Sequence, residues 1–129
     1  MSSLRVLVVD DEPDIRELLV ADLEDAGYVI RELENGLQVI GVALDFRPDV
    51  IVLDIGMPVF DGFEVLKELK VNPQTAPIPV IIASAQTGKA AQTEARNLGA
   101  VDFMTKPWED GELVWRIQQV VKRSKDLAA

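Results

Sequence analysis

Val50-Ile51-Val52-Leu53-Asp54 puts four consecutive apolar residues directly in front of a carboxylate. A run this short, apolar at every position, reads as a strand buried on both faces, as in a parallel sheet covered by helices. The same design opens the chain, where Leu4 to Val9 holds five apolar residues out of six and ends at Asp10-Asp11. It returns at Val80 to Ala83, introduced by Pro79 and ending at Ser84, and at Val101 to Met104, ending at Thr105-Lys106-Pro107. Val29 to Leu33 alternates only loosely and is read as a fifth strand.

Helical patterns fill the intervals. Pro13 suits a first helical turn, and Ile15, Leu18, Leu19, Leu23 and Ala26 follow at helical spacing before Gly27. Asn35-Gly36 is expected to open a second helix carrying Leu37, Ile40, Val42 and Leu44, stopped near Arg47-Pro48. A loop with Gly56, Pro58 and Gly62 leads to a helix bearing Phe63, Leu66 and Leu69, closed by Asn72-Pro73. Lys89 to Leu98 is an Ala-rich helix stopped by Gly99, and Leu113, Ile117, Val120 and Val121 stripe the last one. Strand and helix alternate five times without residue-level repetition, which predicts one doubly wound α/β domain over 1–129. Its core is expected over about residues 4–122, with 123–129 a polar tail that frays.

Composition narrows the chemistry. A chain of 129 residues is large enough for one self-sufficient core. It has no cysteine and no histidine, which excludes disulfides, thiol catalysis, imidazole bases and Cys- or His-ligated metals. Thirteen Lys and Arg against 22 Asp and Glu give a net charge of −9, a sign that repels nucleic-acid phosphates and anionic lipid. The apolar runs are too short to span a bilayer, and no signal-like segment opens the chain, so a cytoplasmic location is expected.

In a doubly wound sheet the carboxyl ends of all strands share one edge, where ligands bind. Asp10 and Asp11 follow the first strand, Asp54 the third, Ser84 the fourth and Lys106 the fifth. Taken singly, the acidic pair reads as a helix N-cap, Asp54 as a turn residue, Ser84 as a strand-end hydroxyl and Lys106 as a solvated charge. Their joint placement is what those separate readings leave unexplained. Converging carboxylates repel unless a cation sits among them, and an all-oxygen donor set suits Mg²⁺. With a lysine and a hydroxyl added, the set suits phosphoryl chemistry, Asp54 being the candidate nucleophile and Asp10 and Asp11 the candidate metal ligands.

Val9-Asp10-Asp11-Glu12-Pro13, Leu53-Asp54-Ile55-Gly56-Met57-Pro58 with Asp61-Gly62, Ile82-Ala83-Ser84-Ala85 and Lys106-Pro107 occur in an order and separation that resemble the receiver domain of two-component response regulators. The match covers about residues 4 to 122. The resemblance implies a flavodoxin-like sheet of order 2-1-3-4-5 with five helices, and phosphorylation of Asp54 by a histidine kinase or histidine phosphotransfer protein. It implies Mg²⁺ held by Asp11, Asp54 and the backbone carbonyl of Gly56, with Asp10 acting mainly through water. Ser84 and Lys106 would bind the phosphoryl oxygens, and Lys106-Pro107 would be a cis bond. Phe103 falls where the family carries a rotating aromatic. Ser84 would swing toward the phosphoryl group and Phe103 would turn inward, reshaping the helix 4–strand 5–helix 5 surface that meets a downstream protein or output domain.

Gly56 and Gln86, each two residues beyond a site residue, are expected to set the access of hydrolytic water. Trp115 faces partly outward on the last helix, as an interface anchor or as a cover for Trp108. Two rival readings are a Mg²⁺-dependent phosphohydrolase of related fold and a non-phosphorylated scaffold. Gly56 stands where such hydrolases carry their second acid/base carboxylate, so only self-phosphorylation and self-dephosphorylation chemistry is expected, rather than an enzyme. The domain is expected to be a monomer or a phosphorylation-dependent homodimer, without direct contact to nucleic acid or membrane.

Overall fold

A computed structural model of the chain describes residues 3–57, 61–86 and 88–128, with side chains through Lys125. Pro58, part of the motif after Asp54, lies outside the described residues. The elements run β1 (Arg5–Val9), α1 (Pro13–Asp25), β2 (Val29–Leu33), α2 (Val39–Phe46), β3 (Val50–Leu53), α3 (Gly62–Val71), β4 (Val80–Ser84), α4 (Lys89–Asn97), β5 (Asp102–Thr105) and α5 (Glu112–Ala128). The strands form one parallel sheet in the order β2-β1-β3-β4-β5, as expected. Helical structure reaches Ala128, the last described residue.

The alternation of side chains along each strand divides the interior in two. Leu7, Val9, Ile51, Leu53, Val80 and Ile82 point toward α2, α3 and α4, meeting Val39, Ala43, Phe46, Val65, Leu66, Leu69 and Ala95. Val6, Val8, Val50, Val52, Ile81, Ala83 and Met104 point toward α1 and α5, meeting Leu19, Leu23, Leu113, Ile117 and Val120. Each central strand is therefore apolar at both parities because each parity serves a different core. β2, at the sheet edge, has no fully buried residue, which is why its sequence alternates so weakly.

The second helix differs from expectation. Asn35 Oδ1 accepts the Leu37 N–H at 3.0 Å, and this local turn holds the chain out of helix until Val39. The inward face is then Val39, Ala43 and Phe46, leaving Leu37 71% exposed and Leu44 at the surface. Arg5 and Arg31 lie over the Phe46 ring, 4.9 and 5.1 Å from its centroid, and close that end of the core. Near α5 the Trp108 indole N–H donates to Asp22 Oδ2 on α1 at 2.8 Å, whereas Trp115 is 57% exposed.

Candidate functional site

Parallel pairing brings the ends of β1, β3, β4 and β5 to one edge, and the ladder continues one residue past two of them. The Asp10 N–H donates to Leu33 O at 3.1 Å and the Asp54 N–H donates to Val9 O at 3.0 Å. The Lys106 N–H donates to Ser84 O at 2.9 Å, so β5 delivers its lysine level with the β4 hydroxyl. Asp10, Asp54, Ser84 and Lys106 are all buried, an arrangement that polar side chains sustain only with partners.

Those partners are present. Lys106 Nζ donates to Asp10 Oδ2 at 2.5 Å and lies 3.6 Å from Asp54 Oδ1. Asp54 Oδ1 also accepts the Gly56 N–H at 3.1 Å, and Ser84 Oγ accepts the Gln86 N–H at 3.0 Å. Asp10 Oδ1 accepts the Glu12 N–H at 2.9 Å, while the Asp10 carbonyl accepts from Arg16 Nη1 at 2.8 Å. Glu12, not either aspartate, occupies the N-cap of α1, and its side chain makes no capping bond. The capping interpretation of the acidic pair is thereby set aside.

Carboxylate oxygens of Asp10, Asp11, Glu12 and Asp54 gather within 4.8 Å of one another. Asp11 is half-buried and Glu12 exposed, so the cluster opens toward solvent on that side. Burial pushes the Asp54 carboxyl above its ordinary 3.8; the Gly56 N–H and the Lys106 ammonium pull it down, and Asp10 and Asp11 add to the rise. A hard dication would relieve that crowding, and the donor set is all oxygen, which fits Mg²⁺.

Two glycines shape the approach to Asp54. A Cβ on Gly62 would fall 2.2 Å from Asp54 O and 2.5 Å from Ile55 Cα, so only glycine lets the start of α3 close against this loop. Asp61 caps that helix through Oδ1 to the Glu64 N–H at 3.1 Å. At Gly56 a Cβ would stand 3.7 Å from Gln86 Nε2 and 3.8 Å from Asp54 Oδ1, in ordinary contact above the carboxylate.

Six of the seven expected site residues meet here: Asp10, Asp11, Asp54, Gly56, Ser84 and Lys106. The Lys106-Pro107 bond is cis. Phe103 stands apart, 7% exposed and packed in the α2–α3–α4 core. Sequence reasoning passed over Glu12 as a member of the carboxylate cluster, although its adjacency to the acidic pair was a usable signal. It also passed over Arg16, which announces itself only as one more charge on α1.

Comparison with known proteins agrees with this geometry. Residues 6–118 match the response regulator receiver domain family. The phosphate regulon transcriptional regulatory protein PhoB of Pseudomonas aeruginosa is 39% identical over 92% of this chain, which spans 52% of that relative. Protein PilH of the same organism is 34% identical over 91% of this chain and 97% of its own length. The chain spans about half the length of PhoB and of several other curated relatives. Among solved structures, the receiver domain of sensor histidine kinase PA1611 from P. aeruginosa, which has a magnesium ion coordinated in its active site cleft, superposes with a TM-score of 0.86. It is 25% identical, over 94% of this chain and 99% of that one. This chain belongs to the response regulator receiver domain family.

Proposed function

We propose that Asp54 accepts a phosphoryl group from a phosphohistidine on a histidine kinase or histidine phosphotransfer protein. A carboxylate oxygen of Asp54 attacks phosphorus, the P–N bond of the donor breaks, and its electron pair leaves with the donor imidazole. Asp11, Asp54 and the Gly56 carbonyl would hold Mg²⁺, with Asp10 acting through water; when bound, the ion neutralises charge on the transferring group. Lys106 supplies a second positive charge and Ser84 a hydroxyl for the phosphoryl oxygens. The observation carrying this reading is the buried Asp54 carboxylate set among Lys106, Ser84 and an all-oxygen acidic cluster. The magnesium in the related PA1611 receiver domain supports the choice of ion.

The product is a switch. A phosphoryl group adds charge and acceptor oxygens beside Ser84, and the response of Ser84 and Phe103 would alter the α4–β5–α5 surface read by a downstream protein or output domain. The domain works in the cytoplasm as a monomer or a phosphorylation-dependent homodimer, and its charge of −9 keeps it from binding nucleic acid directly. No described helix is long and apolar enough to cross a membrane. A phosphohydrolase acting on free substrate is disfavoured because position 56 offers no acid/base side chain. The test is incubation with a small-molecule phosphodonor and Mg²⁺, followed by mass spectrometry. An adduct of about 80 Da on wild type and none on Asp54→Ala supports the reading. An unmodified wild type under saturating donor rejects it in favour of a passive scaffold.

A further inference from the structure

Every polar group of Asp10 is engaged: its N–H by Leu33 O, its two carboxylate oxygens by the Glu12 N–H and Lys106 Nζ, and its carbonyl by Arg16 Nη1 at 2.8 Å. That last bond reaches beyond Asp10. The Asp10 carbonyl and the Asp11 N–H belong to one planar peptide, so fixing the carbonyl fixes the direction in which the chain enters Asp11. The Arg16 guanidinium is itself braced, with Nε donating to Glu32 Oε1 on β2 at 3.0 Å. Its side chain is 17% exposed, and its own N–H closes the first turn of α1 onto Glu12 O at 2.9 Å.

We propose that Arg16 is a positioning residue for the metal site, clamping the Asp10–Asp11 peptide so that the Asp11 carboxylate faces Asp54. This rests on the Mg²⁺ site proposed above. It makes a prediction opposite in sign to simple electrostatics. Arg16 carries positive charge beside the acidic loop, so losing that charge alone would leave the pocket more negative and tighten Mg²⁺ binding. Losing the clamp loosens Asp11 and weakens it. Outer-shell partners of this kind are typically worth 10–100-fold in metal affinity.

The experiment compares wild type, Arg16→Met, Arg16→Lys and Glu32→Gln by calorimetric Mg²⁺ titration, with hydrogen exchange of the Glu12 amide, which donates to Asp10 Oδ1 across Asp11, followed in EDTA. Arg16→Met should weaken Mg²⁺ binding roughly tenfold or more and speed Glu12 amide exchange, with Glu32→Gln milder in both respects. Arg16→Lys keeps the charge but lacks the planar fork that spans both partners, and should recover only part of the loss. Unchanged or tighter binding in Arg16→Met overturns the clamp while leaving the phosphoacceptor reading intact. A wild type that binds no Mg²⁺ fails the metal reading instead. The clamp is then decided by exchange, and a Glu12 amide equally protected in Arg16→Met rejects it.

Discussion

Lys106 Nζ and Asp10 Oδ2 meet at 2.5 Å across 96 residues of sequence, joining the ends of β5 and β1 in a buried ion pair. Both side chains are almost wholly excluded from solvent, at 5% and 1% exposure, so neither charge has water to fall back on. Breaking such a pair from one side typically costs about 3–5 kcal/mol because the partner stays buried and uncompensated. Lys106→Met should therefore lower stability by about that much in EDTA. Mg²⁺ should restore part of it, since a bound cation replaces the missing charge. Urea unfolding with and without Mg²⁺ measures both quantities, and equal losses in the two buffers would contradict the shared-charge account.

Asp54 carries the complementary prediction. Its folded-state carboxyl titrates above the 3.8 of a free group, chiefly because burial disfavours the charge. The ionised form thus opposes folding, fully so above the folded-state value and less as pH falls from there toward 3.8. Asp54→Asn keeps the shape and an acceptor for the Gly56 N–H but removes the charge. In EDTA it should be more stable than wild type near neutral pH, with the gap closing on acidification. A variant less stable than wild type at neutral pH, or a gap that widens toward acid, would show that the carboxylate is net stabilising.

The legible part of the molecule was its centre. β1, β3 and β4 announced themselves because strands buried on both faces need apolar residues at every position, and the polar residue ending each run marked the site edge directly. The edge strand β2 and the start of α2 were harder because neither is governed by burial alone. β2 is paired along one edge only and no residue of it is fully buried, and the Asn35 turn shifts the phase of the next helix, exposing Leu37 and burying Phe46. Arg16 was illegible for a different reason. Its role depends on a bond to a main-chain carbonyl, and no residue type advertises that. Gly62 was visible as a glycine, but not the approach of Asp54 O that requires it.

That approach makes Gly62→Ala a sharp test of how α3 supports the Asp54 loop. The new methyl would have to displace backbone, not a flexible side-chain end, because the atoms it meets are Asp54 O and Ile55 Cα. Overpacking of this kind costs about 1–3 kcal/mol, sometimes more. Alanine's better helix propensity offsets less than about 1 kcal/mol of it. Denaturant unfolding should show a net loss, accompanied by slower phosphorylation as the Asp54 loop shifts. A neutral Gly62→Ala would mean that the loop yields freely.

Ser84 and Phe103 define what the proposed switch must do. Ser84 Oγ accepts the Gln86 N–H at 3.0 Å and Phe103 is already buried, so the proposed switch would have to move a packed ring. Beryllofluoride with Mg²⁺, standing in for the phosphoryl group, should shift the NMR resonances of the Phe103 ring and of α4 in wild type. Ser84→Ala should bind the mimic yet lose the ring shift. An unmoved Phe103 in the loaded wild type would reduce it to core packing.

Gly56 is expected to set how readily water reaches the proposed phosphorylated state. A Cβ at this position would lie 3.7 Å from Gln86 Nε2 and 3.8 Å from Asp54 Oδ1, so the missing side chain leaves room beside the Asp54 carboxylate. Water attacking an aspartyl phosphate in line needs that space, and a long side chain at position 56 occupies it. Gly56→Arg should slow loss of the phosphoryl group by roughly tenfold, equivalent to about 1.4 kcal/mol in the barrier. The substitution adds a methylene stem at ordinary van der Waals distance, so folding should be little affected. Decay of the phosphorylated species after donor removal, followed by mass spectrometry, gives the rate directly. An unchanged rate with full initial phosphorylation would move the control of hydrolysis away from this position and onto Gln86, whose replacement by Ala would then be the variant to alter it.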